Sequence, residues 1–443
     1  MGNVTTSGQN NITSPNGNSL AVFVEGTTGV MKVKDVLGNI QPISDFISGG
    51  GGSSPFEYNA NGTGIQPILG TNVASGYSST IGGGVLNTSS NNYSTVGGGN
   101  CNSASNCYAI IGGGDRNNAS GFISTIGGGR LNTASNCFVT IGGGCGNTAS
   151  NCYSTVGGGY NNTASNIRST IGGGANNTAS YIGSTVGGGV TNTSSNSSST
   201  VGGGFQNIAS NAYSTVGGGC TNTASGVSST IGGGICNTAS GACSTVGGGY
   251  CNFACGLRST VSGGYANLAC GVNSTVGGGY INLACGSCST IGGGYRNTAS
   301  GACSTNGGGY KNIASNSVAT VSGGYNNTAS GGCSSIIGGY VNTASGACST
   351  VGGGKCNVSS SFMTFIGGGY NNTASGGYSS ILGGSTNNTN TCACAMIVGS
   401  NITADRVCAT FVNNLSIKNI PSSSVGLPSG SIYRIGNAVC IVI

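Results

Sequence analysis

Val156-Gly-Gly-Gly-Tyr-Asn-Asn-Thr-Ala-Ser-Asn-Ile-Arg-Ser-Thr170 is one copy of a fifteen-residue sentence that repeats from Ile81 to Ala395. Its consensus is (Ile/Val)-Gly-Gly-Gly-Tyr-x-Asn-Thr-Ala-Ser-(Asn/Gly)-x-x-Ser-Thr, and the span holds twenty-one copies without insertion or deletion. Weaker copies flank it at Gln66 to Thr80 and Met396 to Thr410. A fixed period of this length marks a repeat architecture, in which each unit buries its apolar side only against its neighbours. Counting the aliphatic opener as position one, the fold question reduces to one repeat.

A helical repeat is excluded by three adjacent glycines and a β-branched Thr-Ile/Val pair, since each interior Gly costs about 1 kcal/mol relative to Ala. Collagen is excluded because the glycines cluster instead of recurring every third residue. What remains is a β-coil. Ser-Thr-Ile/Val supplies a short strand, the glycines a bend open to positive φ, x-Asn-Thr-Ala a second strand, and Ser-Asn/Gly the return. The expected fold class is all-β, a parallel β-solenoid or β-roll of fifteen-residue coils with small β-rich units at either end. Coils stacked about 4.8 Å apart set every position over a copy of itself. Position seven is Asn in all twenty-one copies, beginning with Asn87, Asn102, Asn117 and Asn132, which predicts an amide ladder. Position three is Gly throughout, and position nine, mostly Ala, is expected to point into a thin coil.

Composition narrows the function. Of 443 residues 91 are Gly, 4% are charged, and His and Trp are absent. The net charge of +6 is spread over scattered residues such as Arg116, Arg168 and Arg258, which leaves no footprint for nucleic acid. No apolar run long enough for a membrane helix occurs, and the Met1-Gly2-Asn3-Val4 start lacks the features of a secretory signal, so no membrane insertion is expected. Within the twenty-one coils the only acid is Asp115, so paired carboxylates are missing, and without His no Ser/His or Cys/His nucleophile can be assembled. The chain is expected to be no enzyme and to need no cofactor or metal.

In chain order, residues 1–48 read as a β-rich attachment unit, with a hairpin formed by Ser19–Glu25 and Val30–Val36 around Gly26-Thr-Thr-Gly29. Residues 49–65 read as a Gly/Ser linker, centred on Ser48-Gly-Gly-Gly-Gly-Ser-Ser-Pro55. The solenoid follows over 66–402. Residues 403–443 read as a β cap ending in a hairpin that turns at Gly436-Asn437, its apolar last strand Val439–Ile443 expected to be buried between subunits.

The Ala-Ser-(Asn/Gly)-x-x-Ser-Thr-(Ile/Val)-Gly-Gly-Gly core resembles the head repeats of YadA-type trimeric autotransporter adhesins, whose usual unit is one residue shorter. The end segments Gly26-Thr-Thr-Gly-Val-Met-Lys-Val-Lys-Asp-Val-Leu-Gly38, Asn413-Asn-Leu-Ser-Ile-Lys-Asn-Ile-Pro421 and Gly426-Leu-Pro-Ser-Gly430 are similar to those of structural and tail-fibre proteins of marine bacteriophages. The resemblance implies a left-handed β-roll, a homotrimer and a non-enzymatic fibre on a virion surface that meets a host glycan or receptor. On that reading residues 1–48 attach it to the particle. A thin coil with one aliphatic and one Ala column also gains core by trimerising.

Three side-chain sets stand out. Tyr250, Tyr265, Tyr280, Tyr295, Tyr310, Tyr325 and Tyr340 fill position five of seven consecutive coils, either as a stripe binding sugars or a receptor through flat ring faces or as mutual reinforcement of the ladder. Phe253, Leu268 and Leu283 at position eight, with Cys255, Cys270 and Cys285 at position ten, make an apolar patch three rungs tall, either a packing or subunit contact or a place for metal or redox chemistry. Cysteines number 21, an odd count without a Cys-x-x-Cys framework, so no planned disulfide set is expected, although thiols on adjacent rungs could oxidise at a spacing near the lower end of disulfide Cα distances. Two alternatives remain: a bacterial cell-surface adhesin, and an ice-binding solenoid that uses the Thr file at position fifteen.

Overall fold

The computed structural model describes residues 71–414, 420–429, 431–435 and 438–441, with short strands at 9–13, 19–24, 31–34, 40–42, 56–58 and 65–67. Every regular element among them is a β-strand. The chain divides into two compact units, Met1–Thr191 and Asn192–Ile443.

The first unit opens with an antiparallel sheet of Gln9–Thr13, Ser19–Val24, Met31–Lys34 and Ile40–Pro42, each strand paired with the next. The hairpin expected around 26–29 is its central pair, with Val24 opposite Met31. Phe56–Tyr58 then pairs with Ile65–Pro67, so the stretch read as a linker over 49–65 contains a strand, while 48–55 lies outside the described residues. Ile65 pairs in parallel with Thr80, and the solenoid begins.

Each coil contributes two strands of two residues. Positions fifteen and one stack into an aliphatic sheet, Thr95–Val96 beside Ile110–Ile111 beside Thr125–Ile126. Positions eight and nine stack into an alanine sheet, Ser103–Ala104 beside Asn118–Ala119 beside Thr133–Ala134. A third file of single bridges runs through position five, from Asn100 to Asp115 to Arg130. The repeat of fifteen thus becomes a register of fifteen.

The two-residue alternation of strands decides what lies inside. In one coil Ser154, Val156, Asn162 and Ala164 are buried, while Thr155 and Thr163 between them are half-buried on the outer faces. Positions fourteen, one, seven and nine therefore line the core, and two of the four are polar. One buried Ile or Val per coil contributes about 1.5–3 kcal/mol, too little to order fifteen residues alone at about 1–2 kcal/mol of backbone entropy each. Hydrogen bonds between coils must supply much of the rest.

Positive φ is not confined to the glycine bend, as the sequence suggested. Gly84 and Gly99 at position four have φ of 82° and 94°, but positions six and thirteen are also left-handed, with Leu86 at 58°, Tyr93 at 58° and Ile123 at 53°. A residue other than Gly costs about 1–2 kcal/mol in this region. The cost is offset by a bond to the preceding coil: the Tyr93 N–H donates to the Tyr77 carbonyl at 2.9 Å, and the Cys101 N–H to the Val85 carbonyl at 3.0 Å.

In the second unit the aliphatic sheet runs from Thr200–Val201 to Ser380–Ile381, and the alanine sheet from Thr193–Ser194 to Thr373–Ala374. The regular copies do not close at Ala395 as the sequence suggested. Ile381 pairs with Ile397 and Ile397 with Phe411, so one coil carries an extra residue and the next is one short. The extra residue is absorbed near Asn390, whose carbonyl accepts the Ser375 hydroxyl, while the Thr389 hydroxyl accepts the Ser375 and Gly376 N–H groups at 2.9 and 3.1 Å. Stacking continues to Thr410–Val412, past the boundary expected at 402. Ile432–Ile435 and Ala438–Ile441 form the terminal hairpin, with Ile435 opposite Ala438. The side chains of 439–443, and with them the burial expected there, lie outside the described residues.

Candidate functional site

The bend that presents position five is held from inside by position seven. The Asn87 side-chain amide donates to the Gly83 carbonyl of its own bend at 3.0 Å and to the Gly99 carbonyl of the next at 2.9 Å, while its Oδ1 accepts the Asn102 N–H at 3.0 Å. Asn102 repeats this with Gly98, Gly114 and Asn117, and Asn117 with Gly113, Gly129 and Asn132. The expected file of amides is present, and its partners are chiefly backbone. Asp would lack the two donors and Gln would overreach, which explains why only Asn occurs.

Held this way, position five is a file of outward side chains bridged coil to coil. Tyr250 to Tyr340 stack as seven parallel rings, with centroids 4.7–5.0 Å apart and planes within 10°. The flat faces that the sequence offered to a sugar are therefore turned on one another. What reaches solvent is a row of ring edges and phenol hydroxyls. Its middle members Tyr295 and Tyr310 are half-buried, and its ends, Tyr250 and Tyr340, are 42% and 45% exposed.

Cations flank the row. The Arg296 guanidinium lies 5.3 Å from the Tyr295 centroid, the Lys311 ammonium 5.3 Å from that of Tyr310, and the Lys355 ammonium 5.4 and 5.8 Å from those of Tyr340 and Tyr370. Lys355 thus sits between two rings at one end. No Asp or Glu occurs between Asn192 and Ala404, so these charges face no acid within their coils. In the first unit, by contrast, Asp115 is neutralised by Arg130 one rung away, at 3.2 Å, and not by its chain neighbour Arg116. At the other end of the row, the nearby Cys251 thiol pushes the Tyr250 phenol above its ordinary range, and burial with the adjacent Cys236 does the same to Cys251.

The apolar patch also forms as a file. Phe253, Leu268 and Leu283 are in register on the outer face of the alanine sheet, and Cys255, Cys270 and Cys285 lie half-buried beside them. Cys270 and Cys285 are joined, as are Cys137 and Cys152, each pair one rung apart in its column, while the other sixteen described cysteines are free. A second aromatic file was not anticipated. Tyr77, Tyr93, Tyr108, Phe122, Phe138 and Tyr153 occupy positions twelve and thirteen of the first unit, with successive centroids 4.9–6.2 Å apart, stacked where both neighbours share position thirteen and edge-on where the position changes. Its signal was an aromatic on the return turn of every coil from Tyr77 to Tyr153, split between two positions.

Among the described residues no cluster of three or more His, Cys, Asp or Glu could hold a metal ion, and no helix is long and apolar enough to cross a membrane. No protein-family model matches the chain, and no curated protein matches it.

Proposed function

We propose that the chain is a non-enzymatic fibre subunit of a virus particle, displayed on the virion surface, whose tyrosine edge engages an anionic glycan of the host. The observation that carries this reading is the row of seven Tyr with Arg296, Lys311 and Lys355 beside it and no acid in the surrounding coils. Phenol hydroxyls about 4.8 Å apart offer a ladder of donors and acceptors to sugar hydroxyls, and the unpaired cations favour carboxylate or sulfate groups. Residues 1–48 would join the particle, and three copies would assemble side by side.

The test is retention of the purified chain on immobilised sulfated polysaccharide against neutral dextran, across a salt gradient. The reading expects salt-sensitive retention on the sulfated matrix alone, at least tenfold weakened in an Arg296→Gln, Lys311→Gln, Lys355→Gln variant. Equal retention on both matrices, or indifference to the three substitutions, would contradict it.

An ice-binding surface is the second reading, drawn from the in-register Thr file Thr200, Thr215, Thr230 and Thr245. That file is one rank wide, and several of its members are half-buried. Thermal hysteresis of the purified chain discriminates it.

A further inference from the structure

Cysteines recur one rung apart in the same column beyond the two joined pairs. Cys236 and Cys251 share position six, while Cys288 and Cys303, and again Cys333 and Cys348, share position thirteen. All six are free thiols, five of them exposed and Cys251 half-buried. Their backbones are near copies, with φ between 52° and 57°. In each pair the amide of the later residue donates to the carbonyl just before the earlier one: Cys251 to Ile235 at 2.9 Å, Cys303 to Ser287 at 2.7 Å, Cys348 to Gly332 at 2.8 Å. The two thiols of a pair therefore project from equivalent points on neighbouring rungs. The rung step at the joined pairs is 4.7 and 4.6 Å between Cα atoms, inside the roughly 4.4–6.8 Å that a disulfide spans.

We propose that Cys236–Cys251, Cys288–Cys303 and Cys333–Cys348 are sites of oxidative modification, closing into clips between adjacent coils by exchange with a low-molecular-weight disulfide such as glutathione disulfide. One cysteine thiolate attacks a sulfur of that disulfide and expels a glutathione thiolate, which leaves a mixed disulfide. The neighbouring cysteine thiolate then attacks the protein-side sulfur and expels the second glutathione. Two protein thiols are oxidised by two electrons, and one glutathione disulfide is reduced to two thiols. Each clip ties the turn of one coil to the next, at the edges where the left-handed residues sit.

Cys243 is an internal control. It shares position thirteen, an exposed thiol and a φ of 54°, but Ser228 and Arg258 occupy its column on the adjoining rungs. Exchange should stop there at the mixed disulfide.

The test treats the full chain with glutathione disulfide, alkylates the remaining thiols, digests with trypsin and weighs the peptides. Trypsin cuts after Arg296, between Cys288 and Cys303, so a clip leaves peptides 259–296 and 297–311 joined. The expected result is that joined pair without glutathione on either cysteine, glutathione on Cys243, and glutathione retained on Cys303 in a Cys288→Ser variant. Glutathione on both Cys288 and Cys303, or both thiols recovered alkylated while Cys243 carries glutathione, would overturn the proposal.

Discussion

Two adjacent glycines in the same bend answer to different demands. Gly294 at position four has φ of 89°, and a Cβ there would collide with the Gly309 backbone and the Asn297 amide of the ladder. Gly293 at position three has no such φ, and a Cβ there would meet nothing within 4 Å. Gly294→Ala is therefore expected to destabilise the second unit by about 2–4 kcal/mol. Gly293→Ala should stay within about 0.5 kcal/mol. Denaturant unfolding of the two variants checks this, and comparable losses in both would contradict it. The sequence showed both as part of a glycine triplet and could not separate them, because the difference lies in whether the next coil's backbone and the amide ladder stand against the Cα, as they do at Gly294 and do not at Gly293. Serine at position fourteen hid a similar distinction. Where position eleven is Asn, as beside Ser154 and Ser169, the buried hydroxyl donates to that residue's carbonyl at 2.6 Å. With Gly at position eleven the outcome varies: Ser124 donates to the Gly121 carbonyl at 2.7 Å, while in eight coils, Ser229 and Ser244 among them, the hydroxyl has no partner.

At the scale of the coil, Asn306 shows how much the inward columns can tolerate. It stands in the aliphatic column between Ile291 and Val321 and is fully buried. Its amide donates to the Asn312 carbonyl at 2.8 Å, and its Oδ1 accepts the Gly308 N–H at 3.3 Å, so the polar group is satisfied within one bend. Apolar packing recovers more than these bonds at a site already shaped for Ile or Val. Asn306→Val is expected to raise the stability of the second unit by about 1–2 kcal/mol, read as a higher denaturant midpoint at unchanged slope. A lower midpoint would mean that the amide is required for the bend. The tyrosine row makes a related point about legibility. Its existence and period could be read directly from Tyr250 to Tyr340, but its usable surface could not. In-register rings must stack when their backbones are one rung apart, and stacking consumes the faces that a sugar platform needs.

For the whole molecule, period was the part of the fold most fully written in the sequence. It predicted parallel coils, the amide ladder and the inward alanines, because each is a consequence of a residue lying over its own copy. It failed where period alone carries no information. The sixteen-residue step from Ile381 to Ile397 looked like an unbroken count because Met396 is also apolar. The left-handed residues at positions six and thirteen were not legible, position six having been read as the start of the second strand, since Leu86, Tyr93 and Ile123 carry no turn signature; Tyr93 and Ile123 are tied to the coil before them, through the Tyr77 and Cys107 carbonyls. The whole reading, binding edge and cysteine clips included, stands on one relation, that residues fifteen apart are one rung apart. Dipolar electron spin resonance tests it most directly, with spin-labelled non-natural residues at Ala242 paired first with Ala302 and then with Ala347, all at position twelve of the second unit. Four and seven rungs predict separations of about 19 and 34 Å. Two similar distances, or a pair that does not grow with the number of coils, would contradict the stack.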